Sequence, residues 1–172
     1  VSVPIARGIM QRLTFSGAFM DKVLTLVLRH DDVVPAQPKP VKRMLARLGG
    51  DTELFAALCD LKRGDARGQS PVYSEGRIEL ADGLQRTLDD IIAANEAFTV
   101  NSLAISGRDV MRLGVPQGPL VGSVLNEVLE AVIDEQVPNS ADDLVKFLEA
   151  LIGEEKFQKS LQLGVDETKQ GA

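Results

Sequence analysis

The sequence predicts an all-α fold, a helical bundle of roughly seven to eight helices. Apolar residues recur along most of the chain at the spacing of one helix face, and Gly- and Pro-rich turns interrupt them. Aromatic residues make up only 4% and tryptophan is absent, so we expect a core of Leu, Val, Ile and Ala. No segment has the alternation of a convincing strand, and no repeat or low-complexity block is found.

The first two predicted helices carry apolar stripes. Pro4 suits the first turn of a short helix that runs through Leu13. Ser16 can cap the second helix, which we expect to face the core and to end near His30, before the turn DDVVPAQPKP. The stripes comprise Ile5, Ile9 and Leu13 in the first helix, and Phe19, Met20, Val23, Leu24, Val27 and Leu28 in the second.

The third predicted helix, over residues 39–48, separates two faces. At ~100° per residue its cations fall opposite its apolar residues, which gives the clearest basic face of the sequence. The glycines at 49–50 end it, and Asp51 or Thr52 can cap a fourth helix with a basic last turn. The basic face comprises Lys39, Lys42, Arg43 and Arg47, opposite Val41, Met44, Leu45 and Leu48.

A long helix from Ser74 to about Asn95 comes next, and residues 98–103 are the predicted domain boundary. We therefore expect one helical unit over residues 1–97 and a smaller one over 98–152. A C-terminal extension over 153–172 would hold a short helical segment to Leu163 and then a disordered tail.

Three helices are predicted for the second unit. Ser106 and Asp109 have the spacing of a capping box for a short helix that Gly114 ends. Pro119 opens the next helix, and the Asn-Ser pair at 139–140 can cap the last one.

The net charge and composition of the chain limit the functions that are possible. The chain of 172 residues has a net charge of −6, which argues against indiscriminate nucleic-acid binding, so any RNA site must be a local basic patch. The single cysteine, Cys59, lies in an apolar helical pattern and predicts a buried, inert thiol. No apolar run is long enough for a membrane span, and we expect a cytoplasmic protein. The chain begins with Val1 in a helical pattern, so we expect it to be cut from a longer protein.

Two groups of cations predict a local anion-binding surface. The first is the basic face of the third helix, and the second, just downstream, comprises Lys62, Arg63 and Arg67. The acids concentrate elsewhere, at Glu127, Glu130, Asp134, Glu135, Asp142 and Asp143. Such segregation favours an anion site, whereas charges that only cover the wet side of a helix are the alternative.

The turn before Pro119 is a second candidate anion site. Gly118 removes side-chain bulk, Pro119 fixes the helix start, and the amides of the next two residues would project free from the positive end of the helix dipole. Glycines that only let two helices pack closely are the alternative interpretation. The residues of this site are Arg108, Arg112, Gly118, Leu120 and Val121.

No catalytic or metal-ligating residue is predicted. The run His30-Asp31-Asp32 suggests a metal site, but this is the only histidine, so every other ligand would have to be a carboxylate. We interpret it as a helix-end histidine beside solvated acids. No Ser/His/Asp or Cys/His arrangement can be assigned either.

Three segments resemble one family. They are LAISGRDVMRLGVPQGPLVGSVLNEVLEAVIDEQVPNS (103–140), KPVKRMLARLGG (39–50) and LKRGDARGQSP (61–71), and they are similar to the carboxy-terminal half of bacterial CCA-adding tRNA nucleotidyltransferases of the poly(A) polymerase family. The resemblance implies an HD-related body over residues 1–97 and an RNA-binding tail over 98–152. Lys42, Arg43, Arg47, Lys62, Arg63 and Arg67 align with the basic pattern of that family.

The resemblance implies a function as well. The body and tail of these enzymes hold the acceptor stem and elbow of tRNA by shape and backbone, and position its 3′ end over an amino-terminal catalytic head. The Gly-rich nucleotide loop and the metal-binding carboxylates of that head are missing here. We therefore expect Mg²⁺ and nucleotide only in the head, and a chain that is inactive alone.

Two alternative functions stay open. One is an HD-type metal-dependent phosphohydrolase that uses His30 and Asp31. The other is a helical protein-interaction module, which forms a homodimer through an exposed apolar stripe on the helix from Pro119 to Glu135.

Overall fold

The computed structural model describes residues 2–153, apart from the side chains of residues 71–73. Within that range the chain forms eight α-helices, one short 3-10 helix (Val100–Ser102) and no strand, which confirms the predicted all-α fold. The α-helices are α1 (Ser2–Arg12), α2 (Gly17–Arg29), α3 (Pro38–Arg47), α4 (Thr52–Arg67), α5 (Pro71–Ala93), α6 (Gly107–Arg112), α7 (Pro119–Ile133) and α8 (Ala141–Gly153). The predicted C-terminal extension lies outside the described residues from 154 onward.

The chain divides into two compact units between Glu96 and Ala97. Unit 1 contains α1 to α5, and its most extensive helix contact is that of α4 with α5. In unit 2, α6, α8 and the 3-10 helix all pack on α7. The roles that the sequence assigns to the two parts, an HD-related body and an RNA-binding tail, stay predictions.

Local capping signals set the helix starts that flank the candidate sites. The Asp51 carboxylate accepts a hydrogen bond from the Leu54 amide at 2.8 Å and caps α4. At the start of α6, the Asp109 carboxylate accepts from the Ser106 amide at 2.9 Å and from its hydroxyl at 2.8 Å. These bonds to Ser106 lower the pKa of Asp109. The cap at Asp51 and the capping box at Ser106 and Asp109 are confirmed.

Two helix predictions are wrong in part. The long helix begins at Pro71 instead of Ser74, because the fixed φ of proline suits a first helical turn. The second helix does not bury its whole apolar stripe: Met20 and Leu24 are buried, whereas Phe19 and Leu28 remain exposed. An apolar repeat shows that a helix has one face, but not how much of that face a neighbour covers.

Several large exposed apolar side chains of unit 1 lie on α1, on the turn that follows it and at the start of α2. We call Ile5, Ile9, Leu13, Phe15 and Phe19 the α1–α2 stripe; each is at least 45% exposed. The rings of Phe15 and Phe19 lie 5.3 Å apart. Only Met10 is buried in α1.

The prediction of an exposed apolar stripe on the helix that starts at Pro119 is wrong. The apolar side chains of α7 pack against the rest of unit 2, because α6, α8 and the 3-10 helix contact this helix. The buried ones include Val124, Leu125, Val128 and Leu129. None of the helices within residues 2–153 is long and apolar enough to cross a lipid bilayer.

Candidate nucleic-acid interface

The predicted basic face of α3 is interrupted at Lys42. This side chain is buried, with 5% of its surface exposed, and its ammonium forms an ion pair with Glu96. The prediction that Lys42 lies on an exposed face is wrong, because the flank of α3 that carries it is covered by unit 1, where α3 packs on α5. Lys42 therefore links α3 to the segment that follows α5.

The other three cations of α3 differ in exposure. Lys39 and Arg43 are half-buried, and each already has an interaction partner in the protein. Arg47 is exposed in the last turn of α3, and no ion pair of Arg47 is found within the described residues. It is therefore the cation of this helix best placed to contact a ligand.

Lys62 crosses from α4 to the end of α2. Its ammonium donates hydrogen bonds to the carbonyl oxygen of His30 at 2.6 Å and to that of Asp32 at 2.8 Å. Burial lowers the pKa of Lys62, while the charges of Asp32 and Asp31 act in the opposite direction. Lys62 thus closes the carbonyl end of α2 and is held in place by unit 1.

Arg63 and Arg67, one turn apart on α4, have different surroundings. The Arg63 guanidinium donates to the Asp82 carboxylate at 2.6 Å and also to that of Asp60. The bond to Asp82 raises the pKa of Arg63. Arg67 is exposed at the end of α4, without an ion pair in the described part of the chain. Of the second cation group, Arg67 is the residue open to an external anion.

A cavity of about 150 Å³ opens beside Lys62, between the end of α2, α4 and α5. Its polar wall includes His30, whose Nδ1 lies 2.8 Å from the Val27 carbonyl oxygen and whose Nε2 lies 3.3 Å from the Asp31 carboxylate. Arg77 from α5 and Asp65 from α4 complete the wall, with 3.7 Å between guanidinium and carboxylate. The sequence does not predict Arg77 here, because no local pattern relates α5 to the end of α2.

Metal binding at this place gains no support from the geometry. Among residues 2–153, no three His, Cys, Asp or Glu side chains converge as metal ligands. The positive charge near Asp31 and Asp32 comes from the Lys62 ammonium and from Arg29, which pairs with Asp32. Cys59 is buried in α4 and is a free thiol, as predicted, and burial raises its pKa to about 11.

The glycine turn of unit 2 has the predicted backbone. Gly118 precedes α7 with φ +149°, a conformation that favours glycine, and Pro119 occupies the first turn. The prediction of free amides is wrong for Val121, whose N–H donates to the Gly118 carbonyl at 3.2 Å. This tightened first turn uses one of the amides that a helix start normally leaves unbonded. Leu120 has no acceptor for its N–H within the described residues.

Two arginines of α6 belong to the same unit as this turn. Arg108 is exposed, and Arg112 is exposed with a loose pair to Asp109 at 3.4 Å. A Cβ on Gly107 would lie 3.1 Å from Cγ1 of Val121, so glycine there permits the close approach of α6 to α7. Close helix packing and a partly open helix start are therefore both present at this corner.

The described residues form an all-α protein in which four of the cations predicted to bind an anion are exposed: Arg47 and Arg67 in unit 1, and Arg108 and Arg112 in unit 2. Comparison with known families adds a specific assignment: residues 73–148 match the model of tRNA nucleotidyltransferase domain 2. The match supports the predicted family over this part of the chain. No curated protein and no solved structure matches the chain.

The match covers some of the candidate residues and not others. It begins in α5 and ends in α8, so it includes the glycine turn and both arginines of α6. The cations of α3 and α4 lie outside it. Their assignment to an RNA surface depends on their own geometry.

Proposed function

We propose that this chain is a tRNA-binding, non-catalytic part of a tRNA nucleotidyltransferase. In this proposal it holds the acceptor stem and elbow of tRNA by contacts to the sugar-phosphate backbone, in the cytoplasm. Mg²⁺ and the incoming nucleotide are bound by a catalytic head elsewhere in the parent enzyme. The observation that supports this most strongly is the family match over residues 73–148, which contains the glycine turn and the exposed arginines of α6.

The residues that carry the proposal are fewer than the sequence predicts. Lys42, Lys62 and Arg63 each bond to groups of unit 1, so changing them alters the fold as well as any RNA contact. Lys39 and Arg43 also have partners already. The four exposed arginines, at positions 47, 67, 108 and 112, are the ones that an RNA phosphate can reach without breaking an internal bond of this kind, apart from the loose Arg112 pair.

Anisotropy with a fluorescent tRNA acceptor minihelix tests the proposal. We expect salt-sensitive binding that weakens in two double variants, Arg47→Ala with Arg67→Ala and Arg108→Ala with Arg112→Ala. Removal of one arginine–phosphate interaction should reduce the slope of log affinity against log salt by about 1. Arg86→Ala with Lys146→Ala is the matched control, because both of these cations are exposed and belong to neither surface.

The outcome decides between the two surfaces. If neither double variant differs from the control pair, the backbone-contact proposal is wrong. If only the α6 pair matters, the RNA site is confined to the part of the chain that the family match covers. Circular dichroism of every variant shows whether the helices are retained.

A second candidate function, self-association, is favoured by the α1–α2 stripe. Five large apolar side chains on one hairpin are more than scattered surface residues, and patches of this kind mark protein interfaces. Sedimentation velocity over a range of concentrations should show a dimer that Ile9→Asp abolishes. Val33→Asp is the control, because Val33 is 89% exposed and lies outside the stripe. A monomer at every concentration rules this function out.

A further inference from the structure

The cavity beside Lys62 is large enough for a small ring-shaped molecule. Its volume is about 150 Å³, and cavities of about this size in proteins hold a single six-membered ring. Leu80 and Ala81 form its apolar side, while the end of α2 and the side chains of α4 and α5 form its polar wall. Such a space accepts one planar heterocycle and is too small for a helix or a folded peptide.

The charges around this cavity are balanced. Asp32 pairs with Arg29 at 3.2 Å, Asp65 lies 3.7 Å from Arg77, and Asp31 adds a negative charge that the Lys62 ammonium opposes. A phosphate would have to displace carboxylates from these cations, and a metal ion would have to approach the ammonium. A neutral ligand meets neither penalty, so the electrostatics favour an uncharged, polar molecule.

Hydrogen-bonding groups remain on the polar wall. The Oδ2 atom of Asp65 accepts from Gln69 at 2.9 Å, and its Oδ1 has no partner among the described residues. Lys62 has three N–H donors and uses two of them on main-chain carbonyls. Arg77 is 60% exposed and only loosely paired, so its guanidinium can turn toward a ligand at little cost. The wall therefore presents an acceptor beside donors.

We propose that this cavity binds a single neutral nucleobase. The Watson–Crick edge of every base places a hydrogen-bond donor beside an acceptor, which matches Asp65 as acceptor and Arg77 or Lys62 as donor. The ring lies against Leu80. The base comes either from a free nucleoside or nucleotide, or from an unpaired residue of bound RNA, and only the RNA source rests on the proposed function.

His30 supplies a direct readout. It is the only histidine of the chain and lines the cavity, so its imidazole protons give resolved NMR signals that report on this place alone. Adenosine or cytidine should shift these signals saturably, with a dissociation constant on the order of 1 mM. Ribose 5-phosphate, which has the sugar and phosphate without the base, should not shift them.

Variants test the contacts. Asp65→Ala and Arg77→Ala should each weaken nucleoside binding about tenfold, the usual effect of one hydrogen bond to a charged group. Arg86→Ala is the matched control, because Arg86 is an exposed arginine of the same helix and does not line this cavity. No His30 shift with nucleosides, or an equal shift with ribose 5-phosphate, overturns the proposal.

A second arm separates the two sources of the base. The tRNA acceptor minihelix is compared with the same minihelix whose unpaired residues are made abasic. If RNA is the source, the abasic minihelix keeps its salt-sensitive binding but loses the His30 shift. If nucleosides shift His30 while neither minihelix binds, the base site stands with a free ligand, and the proposed RNA function alone is contradicted.

Discussion

The Lys62 ammonium lies 2.6 Å from the carbonyl oxygen of His30, and this bond joins α4 to the end of α2. A second bond, to Asp32, uses another carbonyl of the same segment. Lys62→Met keeps the apolar stem but removes both donors. We expect it to lower the free energy of unfolding by about 2–3 kcal/mol, measured by urea denaturation. Lys22→Met, at an exposed lysine of α2, should have a smaller effect, and equal effects would show that the Lys62 bonds do not stabilise unit 1.

Removing either partner of the Lys42–Glu96 ion pair should change stability by a different amount. Glu96→Gln leaves a buried ammonium without its carboxylate and should cost about 2 kcal/mol of unfolding free energy. Lys42→Met removes the buried charge itself and leaves Glu96, whose side chain is 38% exposed, to return to water. We expect this change to cost under about 1 kcal/mol. The reverse order in urea denaturation would contradict the assignment of Lys42 as the desolvated partner.

The helices and their caps could be predicted because their signals are local. Asp51 lies three residues before the amide that it caps, and Gly118 directly precedes the helix that it opens. Exposure could not be predicted in the same way. Whether Lys42 faces solvent depends on Glu96, far along the chain, and a helical projection of α3 does not contain that information.

The candidate sites show the same limit. The bonds of Lys62 to the end of α2 and the position of Arg77 in the cavity wall both arise from contacts between distant segments. The Val121 amide differs, because its bond to Gly118 is local. It depends on whether the first turn closes with an i→i+3 bond, which the residue types do not determine.

Gly118 and Gly122 provide a matched test of backbone conformation. Gly118→Ala should destabilise the protein by about 1–2 kcal/mol, because φ is +149° there while a Cβ would meet nothing within 4 Å. Gly122→Ala lies inside α7, also with open space, and should stabilise by about 0.5–1 kcal/mol through helix propensity. Thermal denaturation of both variants measures this. The same sign of effect in both would show that the Gly118 conformation is not required.

The ionised Asp51 carboxylate should contribute to stability, and acid should remove this contribution. Hydrogen bonds from Lys22 and from the Leu54 amide lower its pKa in the folded state below the ordinary 3.8. The unfolded chain therefore binds more protons, so this stabilisation is present above about pH 4 and is lost as pH falls through the folded pKa. Asp51→Asn should flatten the loss of unfolding free energy between about pH 5.5 and about pH 3, while its side chain still caps α4.

Asp51→Ala separates the cap from the charge. It removes both, so at about pH 5.5 it should be less stable than Asp51→Asn by about 1 kcal/mol. If the unfolding free energy of Asp51→Asn falls with acid as steeply as that of the unchanged protein, other carboxylates cause the loss.

The Cys59 thiol should be unreactive in the folded protein. It is fully buried in α4, and desolvation raises its pKa to about 11, which leaves little thiolate near neutral pH. A disulfide reagent such as 5,5′-dithiobis(2-nitrobenzoate) should label it at least about 100-fold more slowly in buffer than in urea, since modification must wait for the helix to open. Comparable rates in the two solvents would mean that α4 opens readily at this position. The contact of α4 with α5 would then be weaker than the buried side chains of Phe55 and Leu58 indicate.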